Sequence, residues 1–169
     1  GALVYLAGEE AGGNLAAAVA LMARDQAHPP LAGQILLSPM LDPCVGSASQ
    51  RRTTGDAVDC KWVQGWRNFL RCPRDAEHPY AVPASAHRLA GLPPTLVLVG
   101  DTDPMRDEAL AYAARLHAAG LQVTQHVFAK AEKWPEPLLE TGPHECPCAG
   151  AVQEEFRRFF EATRCRESS

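Results

Sequence analysis

The stretch Leu3–Asn14, LVYLAGEEAGGN, decides the fold of this chain. Its apolar beginning, residues 3–7, is typical of a buried β-strand, and glycines at positions 8, 12 and 13 surround a short turn. An alanine-rich run follows at once and predicts a helix over residues 12–26, with Leu15, Val19 and Met22 along one apolar face. A strand that turns sharply into a helix presents the middle of the turn at the end of a sheet, and that residue is Glu10.

Strand and helix patterns alternate along the rest of the chain. We expect strands over residues 34–37, 95–99 and 122–128, and helices over residues 104–119 and around the aromatic residues near position 159. The Ser/Thr/Gly-rich segment 44–55 predicts a mobile loop. Strands that alternate with helices predict an α/β fold, in which a mostly parallel sheet carries helices on both faces.

Composition narrows the class of protein. The chain has 169 residues, of which 46% are hydrophobic and 21% charged, as expected for one globular domain. A net charge of −4 argues against nucleic acid as a partner. We find neither a signal segment nor an apolar run that could span a bilayer, and we expect a cytoplasmic protein.

The six cysteines are expected to be free thiols. Cys146 and Cys148 form a C-x-C pair, but a structural zinc site usually needs a second pair of ligands at a similar spacing. We therefore expect no metal site and no cofactor.

Polar residues follow three of the expected strands. Glu10 follows the first strand, Asp103 the third and Lys133 the fourth. Because the carboxyl ends of parallel strands meet at one edge of a sheet, these side chains are expected to lie close together. Each also has a simpler interpretation: Glu10 as a surface turn residue, Asp103 as the N-cap of a helix beginning at Pro104, and Lys133 as a solvated loop residue.

Five motifs carry a family resemblance: GEEAGGNLA at 8–16, PLAGQ at 30–34, SPMLD at 38–42, LAGLPP at 89–94 and GDTDPMRDE at 100–108. Together they resemble the C-terminal two-thirds of the carboxylesterases related to hormone-sensitive lipase, a branch of the α/β-hydrolases. The resemblance implies an α/β-hydrolase fold whose N-terminal part is absent from this chain. Residues 1–169 would form one partial domain, with a cap or insertion over approximately residues 44–80.

The resemblance also assigns roles to single residues. The family's turn reads G-D/E-S-A-G-G, so Glu10 stands in the position of the nucleophilic serine, and the backbone N–H of Ala11 would belong to the oxyanion hole. Asp103 matches the triad acid, and Lys133 stands where the family has its histidine. The family's HGG motif, which completes the oxyanion hole, does not occur in these residues. His144 is an alternative histidine, although it lies further along the chain than the family pattern requires.

These replacements predict weak or lost ester hydrolysis. In the triad, histidine takes the serine proton while the acid orients the imidazole. Glu10 carries no proton to abstract at neutral pH, and a lysine is normally protonated and cannot act as the base. The opposite charges of Glu10 and Lys133 suggest instead that the two side chains form an ion pair.

Three functions remain open at this point. The first is a former ester hydrolase, and the second is a module that binds a small ester or hydrophobic ligand without turnover. The third is a hydrolase that uses Glu10 as a carboxylate nucleophile, as epoxide hydrolases and haloalkane dehalogenases use an aspartate. One helical face could line the ligand pocket or simply pack in the cap; it consists of Trp62, Trp66 and Phe69. The first strand would expose an edge, so the absent N-terminal segment or a second copy of the chain is a possible partner.

Overall fold

The computed structural model describes residues 2–43, 47–54, 61–129 and 149–164. The strands are β1 (Tyr5–Glu9), β2 (Gly33–Leu37), β3 (Thr95–Gly100) and β4 (Val123–Phe128). The helices are α1 (Ala11–Gln26), α2 (Ala48–Thr54), α3 (Lys61–Phe69), α4 (Arg106–Ala118) and α5 (Ala149–Arg164). Two short 3₁₀ helices, Pro73–Glu77 and Pro83–Ser85, lie between α3 and β3.

The four strands form a parallel sheet in the order β1-β2-β3-β4. Leu36 in β2 pairs with Gly8 in β1 and with Val97 in β3, so the strands end close to one another. Every residue of β3 is buried, because helices cover both faces of the sheet. The predicted α/β fold is therefore confirmed.

The alternation of side chains along the strands divides the core in two. One face packs against α1 and α4 and includes Leu36, Val97, Val99, Leu21 and Tyr112. The other face packs against α5 and includes Ile35, Leu96, Leu98, Phe128 and Phe159. Successive residues of β2 and β3 thus belong to opposite clusters, as the two-residue period of a strand requires.

The first strand and helix differ from prediction in detail. Strand β1 begins two residues later than expected and is half-buried, because it lies at the edge of the sheet with β2 as its partner in the described part of the chain. The apolar face predicted for α1 is exposed at Leu15, Val19 and Met22. The helix instead packs through small residues such as Ala17 and Ala20, which allow it to approach the sheet closely.

The loop predicted over residues 44–55 is wrong where the structure describes it, because Ala48–Thr54 is helical. The reason is a capping box at its start. The backbone N–H of Gln50 donates to Ser47 Oγ, and the Gln50 side chain accepts a bond from the backbone N–H of Ser47. Ser49 then ties α2 to α4, since its backbone N–H donates to the Asp107 carboxylate at 2.8 Å.

Two further observations concern the described residues. Cys72 is an exposed free thiol, while the other five cysteines lie outside the described ranges.

None of the helices in the described part of the chain combines the length and hydropathy needed to cross a bilayer.

Candidate functional site

Glu10 lies at the junction between β1 and α1, in a strained backbone conformation. Its φ is 46° and its ψ is −113°, a backbone conformation that residues other than glycine rarely adopt. The surrounding backbone holds it there: the Glu10 N–H donates to Leu37 O at 3.0 Å, and the Glu10 carbonyl accepts from the N–H of Met40 at 3.0 Å. The turn is therefore fixed to the end of the neighbouring strand β2.

Close packing explains two glycines of the turn. A Cβ added to Gly8 would lie 2.0 Å from the carbonyl oxygen of Gly12, and one added to Gly13 would lie 2.8 Å from Pro39 Cβ. Neither position accepts a side chain without moving backbone or a rigid proline. Gly12 differs, because a Cβ there meets nothing within 4 Å.

The Glu10 side chain is held much less firmly than its backbone. It makes no capping hydrogen bond to α1, and 35% of it is exposed. Its carboxylate lies 3.9 Å from the ammonium of Lys61, the first residue of α3, whose side chain is 60% exposed. The same ammonium lies 4.9 Å from the centre of the Trp62 ring. Sequence patterns gave no signal for Lys61, because its contact depends on how α3 packs over the turn.

Asp103 follows β3 and is buried, with only 3% of its surface exposed. Its Oδ1 accepts a 2.8 Å hydrogen bond from the backbone N–H of Met105, and the hydroxyl of Ser38 donates to its Oδ2. Burial raises the pKa of Asp103, the bonds from Ser38 and Met105 oppose that shift, and the negative charge of Glu10 adds to it. The carboxylates after β1 and β3 are therefore electrostatically coupled.

The simpler interpretation of Asp103 as a helix N-cap is wrong. The N-cap of α4 is Met105, and the helix begins at Arg106 rather than at Pro104. Asp103 bonds to the N–H of Met105 within the turn that precedes the helix, so it positions the start of α4 from outside.

Ser38 and Glu108 complete this buried region, and sequence reasoning placed neither of them in the site, since Glu108 was interpreted only as a charge in the first turn of a helix. Ser38 directly follows β2, has a φ of 43° and is fully buried. Burial raises the pKa of Glu108 to about 8; the negative charges of Asp42 and Asp103 add to the shift, and bonds from the backbone of Leu41 and Asp42 reduce it. Glu108 therefore carries its proton at neutral pH.

A cavity of about 210 Å³ opens beside Glu10, between the start of α1 and helix α3. Its lining residues are mostly apolar: Glu10, Ala11, Asn14, Leu15, Met40, Lys61, Trp62, Gly65, Trp66 and Phe69. The three aromatic residues predicted to line a pocket thus surround the same cavity as Glu10. Trp66 also packs in a buried cluster with Met40 and Met105, so it both lines the cavity and contributes to the core.

The remaining predicted site residues are Ala11, Lys133 and His144. Ala11 is the first residue of α1, where backbone N–H groups have no partner within the helix. Lys133 and His144 lie outside the described residues, so their assigned roles stay predictions. Within residues 2–43, 47–54, 61–129 and 149–164, no three His, Cys, Asp or Glu side chains cluster as metal ligands would.

Comparison with known proteins identifies the family. A sequence model described as alpha/beta hydrolase fold matches residues 2–132. The chain belongs to the carboxylesterase-like α/β-hydrolases. This α/β-hydrolase is 33% identical over 127 residues to Esterase LipI of Mycobacterium tuberculosis, a match that covers 73% of this chain and 39% of LipI. It is 38% identical over 128 residues to the Gibberellin receptor GID1A of Arabidopsis thaliana, covering 71% of this chain and 36% of the receptor.

A solved structure agrees with the sequence matches. The thermostable esterase from Pseudomonas putida ECU1011 superposes on this α/β-hydrolase with a TM-score of 0.73 and 33% identity, covering 88% of this chain and 47% of the esterase. The chain spans between about a third and a half of the length of these relatives, which is less than the two-thirds that the resemblance implied.

Proposed function

We propose that this α/β-hydrolase derives from an ester hydrolase and has lost serine-based ester hydrolysis. The observation that carries the proposal is the position of Glu10. It occupies a strained turn between β1 and α1, at the end of a parallel sheet, where the motif G-x-S-x-G would present a nucleophilic serine. The turn has the backbone conformation that presents a nucleophile, but its side chain is the carboxylate of Glu10.

The chemistry of the residues around Glu10 supports the loss. The triad reaction needs a hydroxyl whose proton passes to a neutral imidazole. Among the described residues that line the cavity, none is a serine, cysteine or histidine. The positive group nearest to Glu10 in that lining is the ammonium of Lys61, which is a counter-charge for a carboxylate and not the imidazole that the triad requires.

A fluorophosphonate probe tests the proposal, because it reacts with the activated serine of a working hydrolase. We expect intact-mass measurement to find no adduct on the natural full-length protein, and none on its Glu10→Ala variant. An active carboxylesterase of the same family serves as the positive control. Stoichiometric labelling of the unmodified protein would contradict the proposal, and peptide mapping would then locate the true nucleophile.

A second candidate function is binding of a small hydrophobic molecule without turnover. The cavity favours it, because aromatic and aliphatic side chains form most of its wall beside the ion pair of Glu10 and Lys61. A relative that carries the name of a gibberellin receptor supports the idea that this fold can serve recognition.

A thermal-shift screen of small hydrophobic esters, alcohols and amines tests this second function. The matched control is Gly65→Leu. A Cβ at Gly65 meets only the end of the Met40 side chain, at 3.9 Å, so the larger residue fills the cavity while helix α3 is kept. Ligands of the cavity should stabilise the unmodified protein and not the filled variant. Equal shifts in both proteins would place binding elsewhere.

A further inference from the structure

We infer that the cavity beside Glu10 binds a small neutral aromatic molecule whose polar group both donates and accepts a hydrogen bond, as a hydroxyl does. The ligand would donate to the side-chain oxygen of Asn14 and accept from the indole N–H of Trp62. This inference rests on the proposed binding function and adds the chemical class of the ligand.

Asn14 supplies a buried acceptor. It lies one turn after Glu10 in α1, lines the cavity and is only 4% exposed. Its amide nitrogen donates to the carbonyl oxygen of Ala81 at 3.0 Å, and because that carbonyl only accepts, the amide cannot be turned around. Within the described part of the chain, Asn14 Oδ1 accepts no hydrogen bond. A ligand that donates to it removes the cost of a buried, unpartnered oxygen.

The indole of Trp62 supplies the complementary buried donor. Trp62 lines the same cavity from helix α3, and its Nε1 donates to no acceptor among the described residues. An indole N–H only donates and the Asn14 oxygen only accepts, yet the two atoms do not bond to each other. Buried tryptophan N–H groups usually have a partner. A ligand group that accepts from Trp62 and donates to Asn14 would satisfy both atoms.

The rest of the cavity wall suits an aromatic body. Trp66, Phe69 and Met40 line a volume of about 210 Å³. Aromatic rings pack well against other rings and against a thioether. The volume is below the range of about 300–1,000 Å³ typical of pockets for drug-sized ligands, so the ligand is small, with about one ring.

The charges of the wall favour a neutral ligand. In the described lining, the charged residues are Glu10 and Lys61, which carry opposite charges 3.9 Å apart. A ligand ion of either sign would therefore meet a like charge beside the opposite one. Among neutral groups, an ester offers acceptors only, whereas an alcohol both donates and accepts. The cavity is therefore matched to an alcohol rather than to an ester.

Isothermal titration calorimetry with three probes of equal size tests the inference: phenethyl alcohol, benzyl methyl ether and propylbenzene. The hydroxyl donates and accepts, the ether oxygen only accepts, and the hydrocarbon does neither. In the unmodified protein, the alcohol should bind about tenfold more tightly than the ether. The ether should in turn bind more tightly than propylbenzene.

Three variants assign each preference to its residue. Trp62→Phe keeps an aromatic ring without the N–H, so the advantage of the ether over propylbenzene should disappear while the advantage of the alcohol over the ether is kept. Asn14→Leu keeps the approximate size of the side chain without its oxygen, so the advantage of the alcohol over the ether should disappear. Gly65→Leu fills the cavity and should abolish binding of all three probes. Circular dichroism verifies that each variant is folded.

The opposite results separate the inference from the binding function on which it rests. Equal affinity for the three probes overturns the inference and leaves a hydrophobic binding site in place; it is the result expected if solvent satisfies both atoms. A preference for the alcohol that survives in both Trp62→Phe and Gly65→Leu also overturns it, because the alcohol then binds elsewhere. Absence of binding by every probe overturns both the inference and the binding function. None of these results depends on ester hydrolysis.

Discussion

The turn after β1 and the turn after β3 constrain their acidic residues in opposite ways. At the first, the backbone of Glu10 is held in a strained conformation by bonds to the end of β2, while its carboxylate is partly exposed and 3.9 Å from Lys61. At the second, the carboxylate of Asp103 is buried and accepts bonds from Ser38 and Met105. At the second turn, the carboxyl group of Asp103 itself holds the structure together through its hydrogen bonds. At the first turn, the backbone of Glu10 is fixed, and its carboxyl group can be replaced at little cost.

The largest effect is expected from Asp103→Ala. The substitution leaves the hydroxyl of Ser38 and the N–H of Met105 buried without their acceptor, and each such loss costs about 1–3 kcal/mol. We expect the free energy of unfolding in urea to fall by about 2–4 kcal/mol. The matched variant Glu10→Ala should lose less than about 1 kcal/mol. Equal losses at the two positions would remove the contrast between the turns.

The next largest effect is expected on the pH dependence of stability, because buried carboxyl groups lie around the second turn. The pKa of Glu108 is about 8 in the folded chain against an ordinary value of 4.5. Its contribution to stability is therefore complete below pH 4.5 and is lost as the pH rises through 8. The unfolding free energy should decline by about 1.4 kcal/mol per pH unit between the two values.

Glu108→Gln is the variant that checks this dependence. Glutamine keeps the size of the side chain and cannot ionise, so urea unfolding at several pH values should give a flatter profile than the unmodified chain. Asp103, whose pKa is also raised, leaves a residual slope of the same sign. An unchanged profile in Glu108→Gln would show that Glu108 ionises normally in the folded chain.

A smaller effect tests the strain at the first turn. Glycine adopts a φ of 46° without penalty, whereas alanine retains the strain and removes only the carboxylate. We expect Glu10→Gly to be more stable than Glu10→Ala by about 1 kcal/mol. At an exposed position inside α4, Ala114→Gly should lower stability by about 1 kcal/mol, the opposite sign. A loss of stability in Glu10→Gly would mean that the backbone there is unstrained.

The smallest effect is expected from Glu10→Gln, which keeps the size of the side chain and removes its charge. The ion pair with Lys61 is exposed and spans 3.9 Å, so its removal should change the unfolding free energy by less than about 0.5 kcal/mol. A loss above about 2 kcal/mol would indicate that the pair is a structural part of the first turn, as the Asp103 bonds are of the second.

Local patterns predicted the backbone of this fold better than its contacts. The turn at Glu10 follows from a strand, closely spaced glycines and an alanine-rich helix within one stretch, so the sequence alone indicated it. The α1 face was misassigned because large apolar residues such as Leu15 look more buried than alanines, while close packing on the sheet selects Ala17 and Ala20. Helix α2 was missed because its capping pair, Ser47 and Gln50, lies in a stretch rich in turn-forming residues.

The candidate site was predicted only in part for the same reason. Glu10 and Asp103 follow strands of one parallel sheet, so the effect of the Glu10 charge on the pKa of Asp103 is consistent with the topology. Lys61 reaches Glu10 through the packing of α3 against the turn, which no periodicity encodes. The pairing of Glu10 with Lys133 stays a prediction, because Lys133 lies outside the described residues.

The most direct test of the account is hydrolysis of a short-chain p-nitrophenyl ester by the natural full-length protein, its Glu10→Ser variant and its Glu10→Ser/Lys133→His variant. We expect the unmodified protein and the single variant to show only the background rate, and the double variant to hydrolyse the ester. That result would place Glu10 and Lys133 at the positions of the lost serine and histidine. Hydrolysis by the unmodified protein would contradict the account and make His144, with another nucleophile, the next candidate.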